Sequence, residues 1–337
     1  MSTMTGRERL FATLMGKKPD RVPVSLPFGP YGTKLTGITL DEFNFDAQKR
    51  VACYLACYKA FRPDLIAGIL DPLMFAESVG LKVEFVGGGY FVPEYPLKKK
   101  SKLAGLKLVS PSENPRVPYF LEVCRTLASE LSDNVVSATI GGPWTLAMHM
   151  RGLEQLIYDT VDDPAFIHEL LRFSTEIVKV YLDIVRQAGV GINLADPSAG
   201  CSVISPSIYR EFAQPYETEV INHFKAQGTF LSLHICGLTD PIMTDMVATG
   251  ARGISIDGPA SLKKLVECAA DDTIVIGNVP TELFLQGTKQ EIEAAVKQCL
   301  ATAAPRGHYI LCSGCQIPLQ ASPEKVKQFT DAAAAFG

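Results

Sequence analysis

Long apolar segments are missing from this sequence of 337 residues. Its longest apolar runs fall well short of the roughly 20 residues that a membrane-spanning helix needs. The N-terminus, MSTMTGRERL, also lacks the charged-then-apolar order of a signal peptide. The sequence therefore gives no reason to expect a membrane partner, and we expect a cytoplasmic protein.

Extended basic surfaces are equally scarce. The formal net charge is −4 and the sequence pI is near 5.8. The longest cluster of lysines consists of Lys98, Lys99, Lys100 and Lys102. Because nucleic-acid binding depends on basic surfaces that neutralise phosphates, nucleic acid is not an expected partner.

The disulfide framework of a small secreted protein is also absent. Nine cysteines are an odd number, and most stand alone in predicted helices or at strand ends. Internal repeats and low-complexity linkers are missing as well. With 47% hydrophobic residues the chain has ample material for a large core. We expect one domain over residues 1–337, with reduced thiols of which some are metal ligands.

Short β-rich segments alternate with longer helical patterns along the chain. The predicted strands are VPVSL (22–26), DLIAGIL (64–70), VVSATI (135–140), INLA (192–195), FLSL (230–233), GISI (253–256), TIVIGN (273–278) and YILC (309–312). Capping residues and prolines mark helices over 163–187, 205–227, 261–269, 288–303 and 322–336. Such alternation requires parallel pairing, so the sequence predicts an α/β fold, a (β/α)8 TIM barrel. An open doubly wound sheet is the alternative.

A separate β-hairpin is predicted over residues 82–96, KVEFVGGGYFVPEYP. Two β-rich pieces flank the glycines at 87–89, and glycines favour a tight turn. We expect this hairpin to be inserted after the second barrel strand, where it forms a lid or a rim at the barrel mouth.

Polar and metal-binding residue types recur where the predicted strands end. In a TIM barrel the catalytic groups lie at the carboxyl ends of the strands and in the loops that follow. In chain order these positions hold Asp71 and Glu77, GGPWT (141–145), Asp196, His234 with Cys236, Asp257, Asn278, and Cys312 with Cys315. The recurrence predicts a site at this end of the barrel.

His234 and Cys236 form an H-x-C pair at the end of a buried strand. Side chains at positions i and i+2 of a strand point the same way, so one ion can contact both. Imidazole and thiolate favour zinc, and one more thiolate would give three protein ligands with a fourth position open. Cys312 and Cys315 are the candidates. Cys315 is preferred because the turn at 313–314 redirects the chain over the barrel mouth.

Other interpretations of these residues stay open. A lone cysteine at a strand end is most often a small buried hydrophobic residue, and C-x-x-C also occurs as a redox pair. A closed structural site would use both cysteines of C-x-x-C together with the H-x-C pair. Packing alone, however, does not predict that H-x-C and C-x-x-C fall at two strand ends on the same edge.

Several ordered stretches of the chain resemble the uroporphyrinogen decarboxylase superfamily. Within it, the chain is most similar to the zinc-dependent, cobalamin-dependent methyltransferases that include the methylcobalamin:coenzyme M methyltransferases. The resemblance implies that His234, Cys236 and Cys315 bind zinc and that Asp257 can approach the metal when substrate is absent. The matching stretches are GILDPLMFAESVGLKVEF (68–85), IGGPWTLA (140–147), LADPSAGCSVISPSIYREFAQPY (194–216), LHICG (233–237), GISID (253–257), IGNVP (276–280) and LCSGCQIPLQASPEKV (311–326).

The decarboxylase branch of the superfamily fits less well. Resemblance to that branch implies an arginine-rich segment near the N-terminus and no metal, whereas residues 23–37 read PVSLPFGPYGTKLTG and contain no arginine. Asp71 matches the acidic residue of the decarboxylase strand, which makes it a candidate substrate-binding residue. Uroporphyrinogen decarboxylation and a zinc barrel without catalytic activity are the less favoured alternatives.

The methyltransferase resemblance implies methyl transfer between a corrinoid and a small thiol such as coenzyme M, with zinc stabilising the thiolate. The cobalamin-binding motif D-x-H-x-x-G is absent, since Ala147 precedes His149 and Gly152 in the nearest match. The corrinoid is therefore expected on a partner protein that docks over the mouth near residues 82–96 and 194–205. The alternative is an O-demethylase component that moves a methyl group from a methoxylated aromatic, a methyl ether, to the corrinoid protein.

Two further polar residues complete the candidate site. Asp196 is either a site carboxylate or the first residue of an Asx turn before Pro197, and its strand-end position favours the site. Asn278 either binds substrate or fixes its own loop. We expect Asp196 and Asp257 to be catalytic, and Asp71 and Asn278 to bind substrate.

Overall fold

The computed structural model describes residues 4–71, 74, 77–81, 83–86 and 89–337. Eight parallel strands close into a barrel in the order β1-β10-β9-β8-β7-β6-β5-β2. The strands are β1 (Val24–Pro27), β2 (Leu65–Ile69), β5 (Val135–Gly141), β6 (Gly191–Ala195), β7 (Leu231–Ile235), β8 (Gly253–Ile256), β9 (Ile274–Val279) and β10 (Tyr309–Ser313), and the inserted hairpin has β3 (Glu84–Val86) and β4 (Gly89–Phe91). The predicted TIM barrel is confirmed and the open sheet is wrong.

Helices connect the barrel strands and cover their outer faces. Several of the longer ones begin at capping residues: the Asp163 side chain accepts a hydrogen bond from the Phe166 amide, and Thr288 forms a capping box with Glu291. The α-helices of the described residues are Gly6–Leu14, Gly32–Thr36, Leu40–Phe45, Ala47–Phe61, Arg116–Glu130, Pro143–Arg151, Leu153–Asp162, Pro164–Arg186, Pro206–Ile208, Gln214–Ala226, Met243–Ala248, Leu262–Cys268, Leu283–Gln286, Lys289–Ala303 and Pro323–Phe336.

The helix predicted over 205–227 is interrupted. A short helix at Pro206–Ile208 leads into a π-helical turn at Tyr209–Ala213, and the α-helix resumes at Gln214–Ala226. The wider turn coincides with a buried hydrogen bond, in which the Tyr209 hydroxyl donates to Glu217 Oε2 at 2.7 Å. The prediction of one continuous helix was therefore wrong at this turn.

The inserted hairpin is confirmed but is shorter than the predicted 82–96. Strands β3 and β4 pair antiparallel, with Glu84 opposite Phe91, and they follow the second barrel strand as expected. Residues 82, 87 and 88 lie outside the described part of the chain, and with them most of the predicted glycine turn. The Phe85 ring contacts the Phe45 ring edge-on, with 5.6 Å between ring centroids, so the hairpin packs on the helix Leu40–Phe45.

The amino-terminal end of the barrel is closed by the helix Gly6–Leu14. Its Leu10 packs against Leu65, Ile274 and Ile310, which lie at the beginnings of three strands. The opposite end, where the strands finish, is therefore where a site can open to solvent. None of the helices in the described ranges combines the length and the apolar composition that a bilayer crossing requires.

Candidate functional site

Three soft ligand side chains meet at the mouth of the barrel. His234 lies in β7, Cys236 directly follows that strand, and Cys315 comes two residues after β10. One ligand atom from each lies within 4.8 Å of the others. No other group of three His, Cys, Asp or Glu residues in the described part of the chain is arranged this closely. The structure thus brings together the three residues expected to bind zinc.

The spacing of these atoms fits a zinc ion. The Sγ atoms of Cys236 and Cys315 are 3.7 Å apart, and His234 Nε2 is 3.2 Å from Cys236 Sγ. On a tetrahedral zinc, two thiolate sulfurs lie about 3.8 Å apart and a sulfur and an imidazole nitrogen about 3.6 Å apart. The sulfur pair already has the required separation, and the imidazole needs to move only slightly.

The imidazole of His234 is oriented by Ser255 of the neighbouring strand. The two residues are opposite each other in the β7–β8 register, and His234 Nδ1 lies 3.0 Å from Ser255 Oγ. When Nδ1 donates to this hydroxyl, Nε2 presents its lone pair to the thiols. Sequence analysis missed Ser255, although it precedes Asp257 by two residues in GISID and so shares its side of the strand.

The sulfur atoms of Cys236 and Cys315 lie within hydrogen-bonding distance of each other. Their mutual hydrogen bond raises the pKa of Cys236 above its usual value and lowers the pKa of Cys315, which the neighbouring His234 lowers further. Without a metal, the hydrogen bond between the two sulfurs therefore favours one thiol and one thiolate over two thiolates. A metal ion that binds both sulfurs displaces the remaining proton.

Asp257 lies beside the cluster, but its carboxylate is held by the backbone. It accepts hydrogen bonds from the amides of Gly237, at 2.9 Å, and Gly258, at 2.6 Å. These bonds join the loops that follow β7 and β8. Asp257 is not part of the closely spaced ligand group. Its expected catalytic role and its expected approach to the metal stay predictions.

Gly314 allows the chain to place Cys315 over the mouth. A Cβ atom at this position would lie 2.3 Å from the Gly258 amide nitrogen, so no larger residue fits without a shift. The Ser313 hydroxyl donates to the Cys315 carbonyl at 2.8 Å and fixes the turn. Cys312, in contrast, is buried within β10, and burial raises the pKa of its thiol to about 12. This arrangement supports the preference for Cys315 as the third ligand.

Asp196 is completely buried behind the cluster. Its carboxylate accepts hydrogen bonds from the amides of Trp144, at 3.1 Å, and Thr145, at 2.7 Å, in the first turn of the helix Pro143–Arg151. Burial raises the pKa of this carboxyl to about 6. The Asp196 amide donates to the His234 carbonyl at 2.9 Å. These contacts make Asp196 a link between this helix and β7, and its expected catalytic role stays a prediction.

Asn278 is buried at the end of β9 and holds the loop after β8. Its side-chain nitrogen donates to the carbonyls of Asp257, at 3.0 Å, and Ala260, at 2.7 Å. Of the two roles considered from sequence, these bonds match the fixing of a loop, although the loop is that of the neighbouring strand. Substrate binding by Asn278 stays a prediction.

Asp71 lies apart from the cluster, in a buried group of charges. Its carboxylate is 2.5 Å from Arg116 Nη2 and 3.6 Å from Arg50 Nη1, and it accepts a hydrogen bond from the Met74 amide. Strand β1 separates β2 from β10, and β5 and β6 separate it from β7. Sequence analysis missed both arginines, because no spacing pattern links two distant helices to this strand end. Substrate binding by Asp71 stays a prediction.

Curated relatives of the chain include both methyltransferases and decarboxylases. The methylcobamide:CoM methyltransferase MtbA of Methanosarcina acetivorans is 26% identical over 326 residues, which cover 94% of each chain. The uroporphyrinogen decarboxylase of Geobacter sulfurreducens is 29% identical over 272 residues, which cover 77% of this chain and 76% of the relative.

The fold also matches that of a solved protein. A structure of a methyltransferase from Methanosarcina mazei superimposes with a TM-score of 0.88 at 24% identity, covering 99% of both chains. The sequence profile of the uroporphyrinogen decarboxylase (URO-D) family matches residues 5–336. This match spans nearly the whole barrel, from the helix that closes its base to the last helix. The chain therefore belongs to the uroporphyrinogen decarboxylase family.

Proposed function

We propose that the protein transfers a methyl group between a corrinoid carried by a partner protein and a small thiol, with zinc held by His234, Cys236 and Cys315. The observation that carries this proposal is the close grouping of one imidazole and two thiols at the barrel mouth. Imidazole and thiolate are preferred zinc ligands, and three of them leave one position for a substrate.

The comparisons support the same assignment without deciding it alone. Relatives of both activities match the chain at similar identity. The donor set favours the methyltransferase reaction, because resemblance to the decarboxylases implies no metal and so gives no role to two thiols 3.7 Å apart at the mouth. The resemblance of the H-x-C and C-x-x-C stretches to the zinc-dependent branch agrees with this distinction.

Each residue of the site has a proposed part in the reaction. Zinc, when bound, supplies a Lewis acid that lowers the pKa of a thiol at its open position. Two thiolates from Cys236 and Cys315, with a neutral His234, would balance the charge of a divalent ion. A substrate thiolate at the same ion would then keep a nucleophilic sulfur. Asp257, beside the ligand group, would be an exchangeable further ligand to such an ion when substrate is absent.

The zinc ligands are tested with a matched pair of cysteine variants. We expect about one zinc per chain, and we expect Cys315→Ala to lose both zinc and methyl transfer from methylcobalamin to thiols. Cys312→Ala should keep both, because Cys312 is buried in β10 outside the ligand group. Metal content by atomic emission spectroscopy and the loss of the methylcobalamin absorbance give the two readouts.

The opposite pattern, with zinc retained in Cys315→Ala and lost in Cys312→Ala, would contradict the ligand assignment.

A panel of methyl acceptors and methyl donors separates the possible reactions. Turnover with methoxylated aromatics and none with thiols would favour the O-demethylase reaction instead. Absence of turnover with both classes would show that the proposed function is wrong.

A further inference from the structure

One segment of this acidic chain carries an excess of positive charge. Residues 95–107, here called the lysine strap, contain five lysines and no carboxylate; the flanking acidic residues are Glu94 and Glu113. The formal net charge of the whole chain is −4, so this excess of positive charge is local. None of these lysines belongs to the candidate site, and the strap therefore needs a separate explanation.

The backbone of the strap is fixed to the body of the protein. Leu97 is buried, and its amide donates to the Met150 carbonyl at 3.0 Å. Arg151 Nη1 donates to the carbonyls of Leu97, at 2.6 Å, and Lys98, at 3.0 Å. Lys100 is the lysine that pairs internally, 2.7 Å from Asp159. The strap is thus a held segment rather than a free loop.

The other four lysines of the strap point their charge into solvent. All four are exposed, and within the described ranges no carboxylate oxygen lies within 4.0 Å of their ammonium groups. They are Lys98, Lys99, Lys102 and Lys107. Like charges held on one short segment repel each other, so the strap gains nothing from them within the folded chain. Their charge is available to a partner.

The strap lies within reach of a protein docked over the site. The first turn of the helix Pro143–Arg151 donates a hydrogen bond to Asp196, whose own amide donates to the His234 carbonyl. The carboxyl end of this helix holds the strap through Arg151. Nine helical residues span about 13 Å. A typical interface covers about 800 Å² on each partner, which is a disc of about 16 Å radius. An interface of this radius therefore extends far enough from the mouth to reach the end of the helix that holds the strap.

We propose that the lysine strap docks an acidic surface of the protein that carries the corrinoid. This inference rests on the proposed function, because that function requires such a partner. Charges at the rim of an interface act mainly on the association rate and on its dependence on salt. Nucleic acid is the less favoured occupant, because the net charge of −4 repels phosphates outside the strap.

Charge reversal on the strap tests the inference. The double variant Lys98→Glu/Lys99→Glu changes two exposed side chains whose ammonium groups form no ion pair with any described residue. The donors are a methylated corrinoid protein of net negative charge and free methylcobalamin, each with the same thiol. We expect KM for the corrinoid protein to rise about tenfold at low ionic strength, with a smaller rise at 0.5 M salt. The kinetics with free methylcobalamin serve as the reference.

The matched control is Lys17→Glu/Lys18→Glu, an adjacent exposed pair that precedes β1 at the closed end of the barrel. This control should leave KM for the corrinoid protein unchanged. Equal KM for the wild type and the strap variant would overturn the inference, as would equal effects of both double variants. Binding of a fluorescent oligonucleotide to the wild type but not to the strap variant, together with an unchanged KM for the corrinoid protein, would indicate nucleic acid as the occupant and would also overturn the inference. Failure of transfer from free methylcobalamin as well would instead contradict the proposed function.

Discussion

Ser255 holds the imidazole of His234 with Nε2 towards the two thiols. A histidine ligand needs its metal-facing nitrogen unprotonated, and the hydrogen bond on the other nitrogen sets this tautomer. Here that bond is the 3.0 Å contact between His234 Nδ1 and Ser255 Oγ. The serine is therefore a positioning residue, since it acts on the metal only through the imidazole.

Removal of the Ser255 hydroxyl should weaken zinc binding without unfolding the barrel. For Ser255→Ala we expect zinc affinity to fall about 10- to 100-fold, because outer hydrogen bonds to ligands have effects of this size. Competition with a chromophoric chelator measures the affinity, and Ser255→Thr should restore most of it. Ser232→Ala is the control, because this serine also lies in β7 but bonds to Asn193 rather than to a ligand. Equal losses in both alanine variants would refute the positioning role.

Individual residues differ in how far the sequence could predict them. The grouping of His234, Cys236 and Cys315 could be predicted, because imidazole and thiol side chains rarely occur together at the ends of strands and because H-x-C and C-x-x-C spacing places them on one edge of the barrel. The arginines around Asp71 were not, because Arg50 and Arg116 lie in helices far from it in sequence. Such a buried charge group forms only when the closed barrel brings those helices over β2.

Strand β7 shows why the boundaries of elements are harder to predict than the elements themselves. The apolar run suggested an end at Leu233, but the strand continues to Ile235. His234 keeps its place in the ladder, paired with Ala195 on one side and Ser255 on the other. A polar side chain that points into the mouth breaks the apolar pattern without breaking the backbone pairing.

The turn after β10 places the third ligand, and its close packing gives a second prediction. A Cβ atom on Gly314 would meet the Gly258 amide at 2.3 Å, so Gly314→Ala must displace either the turn or the loop after β8. We expect lower zinc content and a loss of about 1–3 kcal/mol in the free energy of unfolding. Zinc analysis and denaturant titration measure the two effects.

Gly105→Ala is the matched control for this turn. A Cβ atom there would have no heavy atom within 4 Å, so this variant should keep both its zinc and its stability. Full zinc content and normal stability in Gly314→Ala would mean that the turn can adapt. The close contact with Gly258 would then have no part in placing Cys315.

At the scale of the whole molecule, the barrel separates its stabilising core from its chemistry. Apolar side chains inside and around the strands form one extensive buried core, and a smaller cluster closes the base. The ligands come only from the opposite end, on β7 and after β10, with β8 and β9 between them. Asp257 joins the loops after β7 and β8, and Asn278 joins β9 to the loop after β8. The ligand group thus rests on a scaffold that does not depend on it.

This separation predicts that removal of zinc leaves the protein folded. Unlike a small zinc domain, a chain with its own large core does not need metal binding to fold. After chelation we expect the far-ultraviolet circular dichroism spectrum to be unchanged and the melting temperature to fall by roughly 10 °C or less, since loss of a bound ligand costs only its binding free energy. Methyl transfer should disappear and return when zinc is added back. Collapse of the spectrum on chelation would instead make the metal a structural element, and the open coordination position required for a thiol would lose its support.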